Sequence, residues 1–264
     1  MNNSDLETAT DLVDFNHPDI QKLIEDRNWR SMSTYDAVGA AYDFVRNEIK
    51  FGYHGVDGIP AHQVLQDGFG QCNTKGILLM ALLRGIAVPC RIRGLTISKV
   101  LQRGIMPEFI FPLVPDNILH SWVEVFLDGK WISLEGFILD DEYLSKLQQF
   151  FGSPNQAYCG YGVGTRDLMK PTVDWIGEST FIQCTGINQD FGVFSSPDEL
   201  FSKHVQDFPW WKALVYENVV RHWMNFRLQK VREGRRPQPL STDRYTSSTP
   251  DTLKLALIGM IKQN

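Results

Sequence analysis

The stretch Gly68-Phe69-Gly70-Gln71-Cys72-Asn73-Thr74-Lys75-Gly76, running on into the apolar segment Ile77 to Leu83, decides the reading of this chain. It sets a thiol on the first turn of a helix. The two glycines allow a sharp turn and a close backbone approach at the helix mouth. Unpaired N–H groups and the positive end of the helix dipole at that mouth favour a thiolate over a thiol. A thiolate so placed is a nucleophile at neutral pH, although a cysteine just after a turn serves equally as a small buried hydrophobe. The Ile77–Leu83 run is apolar on every side, which predicts a central, wholly buried helix with its Cys72 end held rigidly.

A second signal lies downstream, in Leu119-His120-Ser121-Trp122-Val123-Glu124-Val125-Phe126-Leu127, then Asp128-Gly129, then Lys130-Trp131-Ile132-Ser133-Leu134-Glu135. The first run alternates, with Trp122, Glu124 and Phe126 on one face and Ser121, Val123 and Val125 on the other, and so reads as a strand. Asp-Gly followed by a second alternating run reads as a hairpin. His120 and Glu135 then sit at the open ends of two paired strands, as close neighbours. An imidazole there takes the thiol proton, and a carboxylate orients the ring and stabilises its charge. A lone histidine on a strand is commonly a satisfied or surface residue; its coincidence with the helix-mouth thiol favours the catalytic reading.

These residues resemble the transglutaminase-like superfamily of papain-related thiol enzymes. The matching parts are Gly70-Gln71-Cys72, then Leu82-Leu83-Arg84-Gly85-Ile86-Ala87-Val88-Pro89-Cys90-Arg91, then His120-Ser121-Trp122, then Trp131-Ile132-Ser133-Leu134-Glu135. Upstream, Val45-Arg46-Asn47-Glu48-Ile49 and Ala61-His62-Gln63-Val64-Leu65 look like the segments that precede the family's cysteine. The likeness covers about residues 36–144. It implies an α+β fold of the papain/transglutaminase type, with N-terminal helices and a central buried helix packed on a mainly antiparallel sheet. It also implies Cys72 as nucleophile, His120 as base and Glu135 as orienting acid. The family most often has aspartate where this chain has Glu135, which leaves Asp140 and Glu124 as rivals for that role. Gln66, six residues before Cys72, looks like the oxyanion glutamine of papain-type enzymes. It could equally be a solvated helix residue, and the nearer Gln71 is expected to point away from the cleft.

The resemblance carries an activity: acyl transfer through a thioester on a peptide or carboxamide bond, with a peptide, a protein or a small amide as partner. Water as acceptor makes the chain a protease or amidase; an amine makes it a transglutaminase or amide-forming acyltransferase. A peptide-binding module of the same fold, without catalysis, is the alternative of another class. Its mark is loss of the thiol, the imidazole or the acid, and none is lost.

Composition agrees with an enzyme core. At 264 residues and 43% hydrophobic, the chain can bury a sizeable core in one domain or two. A net charge of −5 argues against nucleic acid as the main partner. The acidic start Met1-Asn2-Asn3-Ser4-Asp5-Leu6-Glu7 shows no secretory signal, and the Ile77–Leu83 run is far too short to span a bilayer, so the expectation is a cytoplasmic protein with no membrane partner. Cys72, Cys90, Cys159 and Cys184 show no Cys-x-x-Cys spacing. Acyl transfer through a thiol needs no metal or cofactor, and none is expected. The acidic group Asp140-Asp141-Glu142 reads as the first turn of a helix rather than a calcium loop.

Around this centre, Ser33-Thr34-Tyr35-Asp36 is a capping box that opens an amphipathic helix over 34–50, and a shorter helix precedes it near 17–26. Strands are expected over about 90–98, 119–127 and 131–136. The hydrophobic, proline-bearing segment 98–117 leads directly into His120 and reads as a wall of the cleft or as a core-packing excursion. The glycine-spaced stretch Ala157 to Thr165 lacks the lysine and following Ser/Thr of a phosphate loop and reads as a turn-rich cleft edge. Phe208 to Glu233 reads as a long helix with a basic end, 237–250 as a surface arm, and 251–262 as a last apolar-faced helix. The chain thus divides into a catalytic core with N-terminal helices over 1–205 and a helical extension over 206–264; its oligomeric state is open.

Overall fold

The computed structural model describes residues 6–204 and 209–237. The chain opens with α1 (Pro18–Asp26) and α2 (Thr34–Asn47), followed by a short strand β1 (Lys50–Phe51), α3 (Ala61–Asp67), β2 (Phe69–Gly70) and α4 (Cys72–Gly85). Ser33 Oγ accepts the Asp36 N–H at 3.2 Å, so the side chain read as a cap does cap α2. β1 and β2 pair in parallel, which ties the chain just before Cys72 to the end of α2. Helix α4 is buried from Cys72 through Arg84, as a run with no polar face requires.

β3 (Cys90–Ser98), β4 (Asn117–Leu127), β5 (Lys130–Leu134) and β8 (Ile187–Phe194) form one antiparallel sheet in the order β5-β4-β3-β8. The β4–β5 turn is the two-residue one expected: Asp128 and Gly129 adopt φ of 50° and 79°, with Leu127 opposite Lys130. α4 lies against β4, and the architecture is α+β with helices on an antiparallel sheet.

Three differences from the sequence reading have physical reasons. The strand expected over 131–136 ends at Leu134, and Glu135 leaves the ladder. β8 was not anticipated, because Ile187-Asn188-Gln189-Asp190 carries no apolar alternation; it is a half-exposed edge strand with register shifts against β3. The Ala157–Thr165 stretch holds a small two-stranded ribbon, β6 (Tyr158–Gly160) with β7 (Val163–Thr165).

After α5 (Asp141–Phe151) and α6 (Pro197–Lys203), the expected long helix appears as α7 (Trp210–Val215), one π turn (Tyr216–Val220) and α8 (Arg221–Arg232). Phe208 and the segment 251–262 lie outside the described residues. Val220, Met224, Leu228 and Val231 join the same apolar core as α4. The basic end of α8 does more than meet a helix dipole. Arg232 is buried and forms charge-assisted bonds to Asp140 at 2.6 and 3.1 Å, and it also donates to the Phe51 carbonyl at 2.7 Å. Close by, the fully buried Lys75 Nζ donates to the carbonyls of Arg46 (3.2 Å) and Ile138 (3.0 Å), and burial holds its pKa well below the usual lysine range. Among the described residues, no helix is long and apolar enough to cross a membrane.

Burial alone would raise the Asp140 carboxyl, but the Arg232 guanidinium and the Phe51 N–H outweigh it and hold its pKa below the usual carboxylate range. A depressed folded-state pKa contributes stability that is full above the unfolded value of about 3.9 and is lost as pH falls through the folded value. Asp140→Ala should therefore cost about 3–5 kcal/mol in urea unfolding at pH 7, since it strands a buried guanidinium. The gap from wild type should shrink below about pH 4. A loss under about 1 kcal/mol would mean that the pair is dispensable.

Candidate active site

Cys72 is the first residue of α4, and the turn in front of it shows why two glycines stand there. Gly68 ends α3 at φ 70°. A Cβ on Gly70 would meet Thr74 Oγ1 at 2.6 Å, the atom that accepts the Gln71 N–H at 3.1 Å. The Cys72 side chain is nearly buried, lines a cavity of about 550 Å³, and lies 3.6 Å by its sulfur from Asn73 Oδ1. Asn73 in turn accepts from Ser121 Oγ at 2.8 Å and donates to the Leu119 carbonyl at 3.3 Å. It thus bonds to both residues that flank His120 and locks the mouth of α4 to β4. Sequence reasoning did not single it out.

His120 and Glu135 are fully buried, and His120 Nε2 lies 2.7 Å from Glu135 Oε1. The other Glu135 oxygen accepts the backbone N–H groups of Ile182 (2.9 Å) and Gln183 (3.0 Å). The carboxylate is held there because the chain leaves β5 at Leu134 and the Glu135 N–H turns to the Thr180 carbonyl at 3.0 Å. His120 Nδ1 is buried with no hydrogen-bond partner at standard geometry, and the ring's second ionisable neighbour is Cys72. Burial by itself would lower the imidazole pKa; the charge and hydrogen-bonding capacity of Cys72, then of Glu135, outweigh it and push it up to about 10. The arrangement therefore favours the protonated imidazole.

The rival acids are occupied elsewhere. Glu124 pairs with Arg91 at 2.6 Å and Arg93 at 3.3 Å. Asp140 caps α5 through the Tyr143 N–H at 3.0 Å and holds Arg232. Asp141 and Glu142, the rest of that acidic group, face Arg46 and Lys50.

The oxyanion assignment is corrected. Gln66 sits on the outer side of α3 and donates to Asp19 Oδ2 on α1 at 2.7 Å, away from Cys72. The six-residue spacing spans a helix end, the Gly68 turn and β2, so it does not aim Gln66 at the thiol. Gln71, expected to point away, is instead buried and lines the cavity. Its Oε1 accepts the His54 N–H at 3.0 Å and its Nε2 donates to Asp57 Oδ1 at 3.1 Å. The first turn of α4 itself carries backbone N–H groups that have no partner within the helix. Segment 98–117 fulfils both of its readings: Met106, Ile110, Leu113 and Val114 line the cavity, while Leu101 and Ile105 are core.

Residues 24–136 match the model of the transglutaminase-like superfamily, and Cys72, His120 and Glu135 all fall within that interval. A solved structure named "Putative Cysteine Protease from Cytophaga hutchinsonii" is similar at 13% identity and a TM-score of 0.44, over 75% of this chain and 48% of that one. The chain thus spans about half the length of that protein. No curated protein matches it.

Burial pushes the Cys90 and Cys159 thiols up to about 11 and Cys184 up to about 12, which keeps all three protonated at neutral pH. Iodoacetamide at pH 7 should alkylate Cys72 at least tenfold faster than the other three, read site by site by peptide mass spectrometry. Equal rates at all four would contradict a special environment at the helix mouth.

Proposed function

We propose, from the match to the transglutaminase-like superfamily, from Cys72 on the wall of a cavity and from the His120–Glu135 pair that neighbours it, that this protein is a cysteine-dependent acyl-transfer enzyme acting on a peptide or carboxamide bond. The observation that carries the reading is the fully buried His120–Glu135 contact at 2.7 Å, in a ring whose charge Cys72 also stabilises. A purely structural histidine has no need of both a thiol and a carboxyl neighbour, whereas a thiol beside an imidazole that a third group orients is the arrangement of a thiol nucleophile.

In the reaction so assigned, the Cys72 sulfur attacks the carbonyl carbon and the oxyanion forms against the N–H groups at the mouth of α4. His120 gives its proton to the leaving nitrogen as the C–N bond breaks, which leaves a thioester on Cys72 and a neutral imidazole. Water then adds to the thioester and His120 takes its proton. The acid departs, and the thiolate–imidazolium pair is restored. Glu135 holds the ring in one orientation throughout and balances its charge. Hydrolysis is the preferred outcome because water needs no second binding site, and protease or amidase is accordingly the reading adopted over amine transfer.

Incubation with a peptide library followed by mass spectrometry should find an acyl group on Cys72, and added primary amine at millimolar concentration should leave free acid as the main product. Predominant amide would reassign the enzyme as a transglutaminase or acyltransferase; no adduct with any peptide would favour a binding module. Glu135→Gln should lower kcat by on the order of 10²–10⁴-fold with unchanged circular dichroism, less than His120→Ala does, and Glu135→Asp should fall between wild type and Glu135→Gln. Full activity in Glu135→Gln would remove Glu135 from the mechanism.

A further inference from the structure

The cavity beside Cys72 has a volume of about 550 Å³, within the range of sites that enclose a small ligand. Its apolar walls come from several parts of the chain: Phe51 and Val56 after α2, Ile97 on β3, Ile110 and Val114 before β4, and Val220 and Met224 on the C-terminal helices. The π turn at Tyr216–Val220 adds a residue to the helical repeat there, and Tyr216, Val220 and Met224 all reach the cavity.

The polar side chains that reach it are largely engaged with the protein. Gln71 is bonded to Asp57 and to the His54 N–H, Tyr53 OH to Gln102, and Asn73 to β4. Lys212 Nζ donates to the Leu113 carbonyl at 3.0 Å. Among the described lining residues, the buried acceptor without a partner is Gln183 Oε1, on a residue whose backbone N–H holds Glu135. The walls between these polar groups offer contact with hydrocarbon. With most of the lining polar atoms already bonded within the protein, a charged group seated there would lose its water for few replacement partners. Leu113, Trp211 and Val215 line the cavity and are also 43–50% exposed, so the apolar surface runs out to solvent and gives a chain a way in.

We infer, resting on the acyl-transfer reading above, that the acyl group delivered to Cys72 is an uncharged, apolar chain of medium length rather than a polar or acidic one such as a glutamyl group.

The test uses p-nitrophenyl esters of acetic, butyric, hexanoic and octanoic acids, with the monoester of glutaric acid as the charged control, and measures kcat/KM together with the acyl group found on Cys72. Up to about fourfold per buried methylene is available, so kcat/KM should rise at least tenfold from acetyl to octanoyl while the glutaryl ester stays near acetyl. Val114→Trp, which fills the cavity from a half-buried wall position, should lower the octanoyl rate relative to the butyryl rate at least fivefold. Acylation of Cys72 with a flat chain-length profile, or with glutaryl preferred, would overturn the inference and leave the acyl-transfer reading standing. Absence of any acyl group on Cys72 from any ester would overturn that reading itself, and the inference with it.

Discussion

A carboxylate with no exposure to water has to be satisfied by the protein, and Glu135 is such a group. Buried and uncompensated, it would cost several kcal/mol. The structure answers with three bonds: His120 Nε2 on one oxygen, and the N–H groups of Ile182 and Gln183 on the other. Meeting that demand dictates where β5 stops, why the 180–183 segment crosses beneath it, and how the His120 ring is turned. A second bond set, from Asn73 to Leu119 and Ser121, then fixes the mouth of α4 against the same strand. Cys72 is aligned by the helix, His120 by the strand, and the two by their shared neighbour.

Glutamate in this position has a structural use. Its extra methylene reaches past the end of the hairpin, where one oxygen meets the imidazole and the other is clamped by two consecutive backbone donors. An aspartate at the same backbone position would be one methylene short of spanning both. Glu124 and Asp140 are no substitutes, because each is buried against arginine: Glu124 beside Arg91 and Arg93 on β3, and Asp140 where α8 docks.

What the sequence made legible is what depends on local pattern. Asp128-Gly129 between alternating runs specified a two-residue hairpin, because a turn with positive φ at both positions tolerates few residues. The all-apolar Ile77–Leu83 run specified a buried helix, and the glycines before it specified its sharp entry. From these, Cys72, His120 and Glu135 followed. The missed features are those without a residue-type signature. The Ile182 and Gln183 donors are backbone groups, which any residue carries. β8 is a polar edge strand, held by the exposed backbone of β3 rather than by its own alternation. Gln66 failed as an oxyanion residue because spacing along the chain does not encode the direction of a helix face, and Gln71 turned inward because Asp57 and the His54 N–H, distant in sequence, capture its amide.

Cys72, His120 and Glu135 act on one another as a single electrostatic unit, and the state of the His120 ring reports on it most directly. Nitrogen-15 NMR of histidine-labelled protein across pH should find the His120 ring protonated up to about pH 10, with the transition displaced downward in Cys72→Ser, where burial is opposed by Glu135 alone. A His120 transition near 6.5 that is indifferent to removal of the thiol would contradict the account.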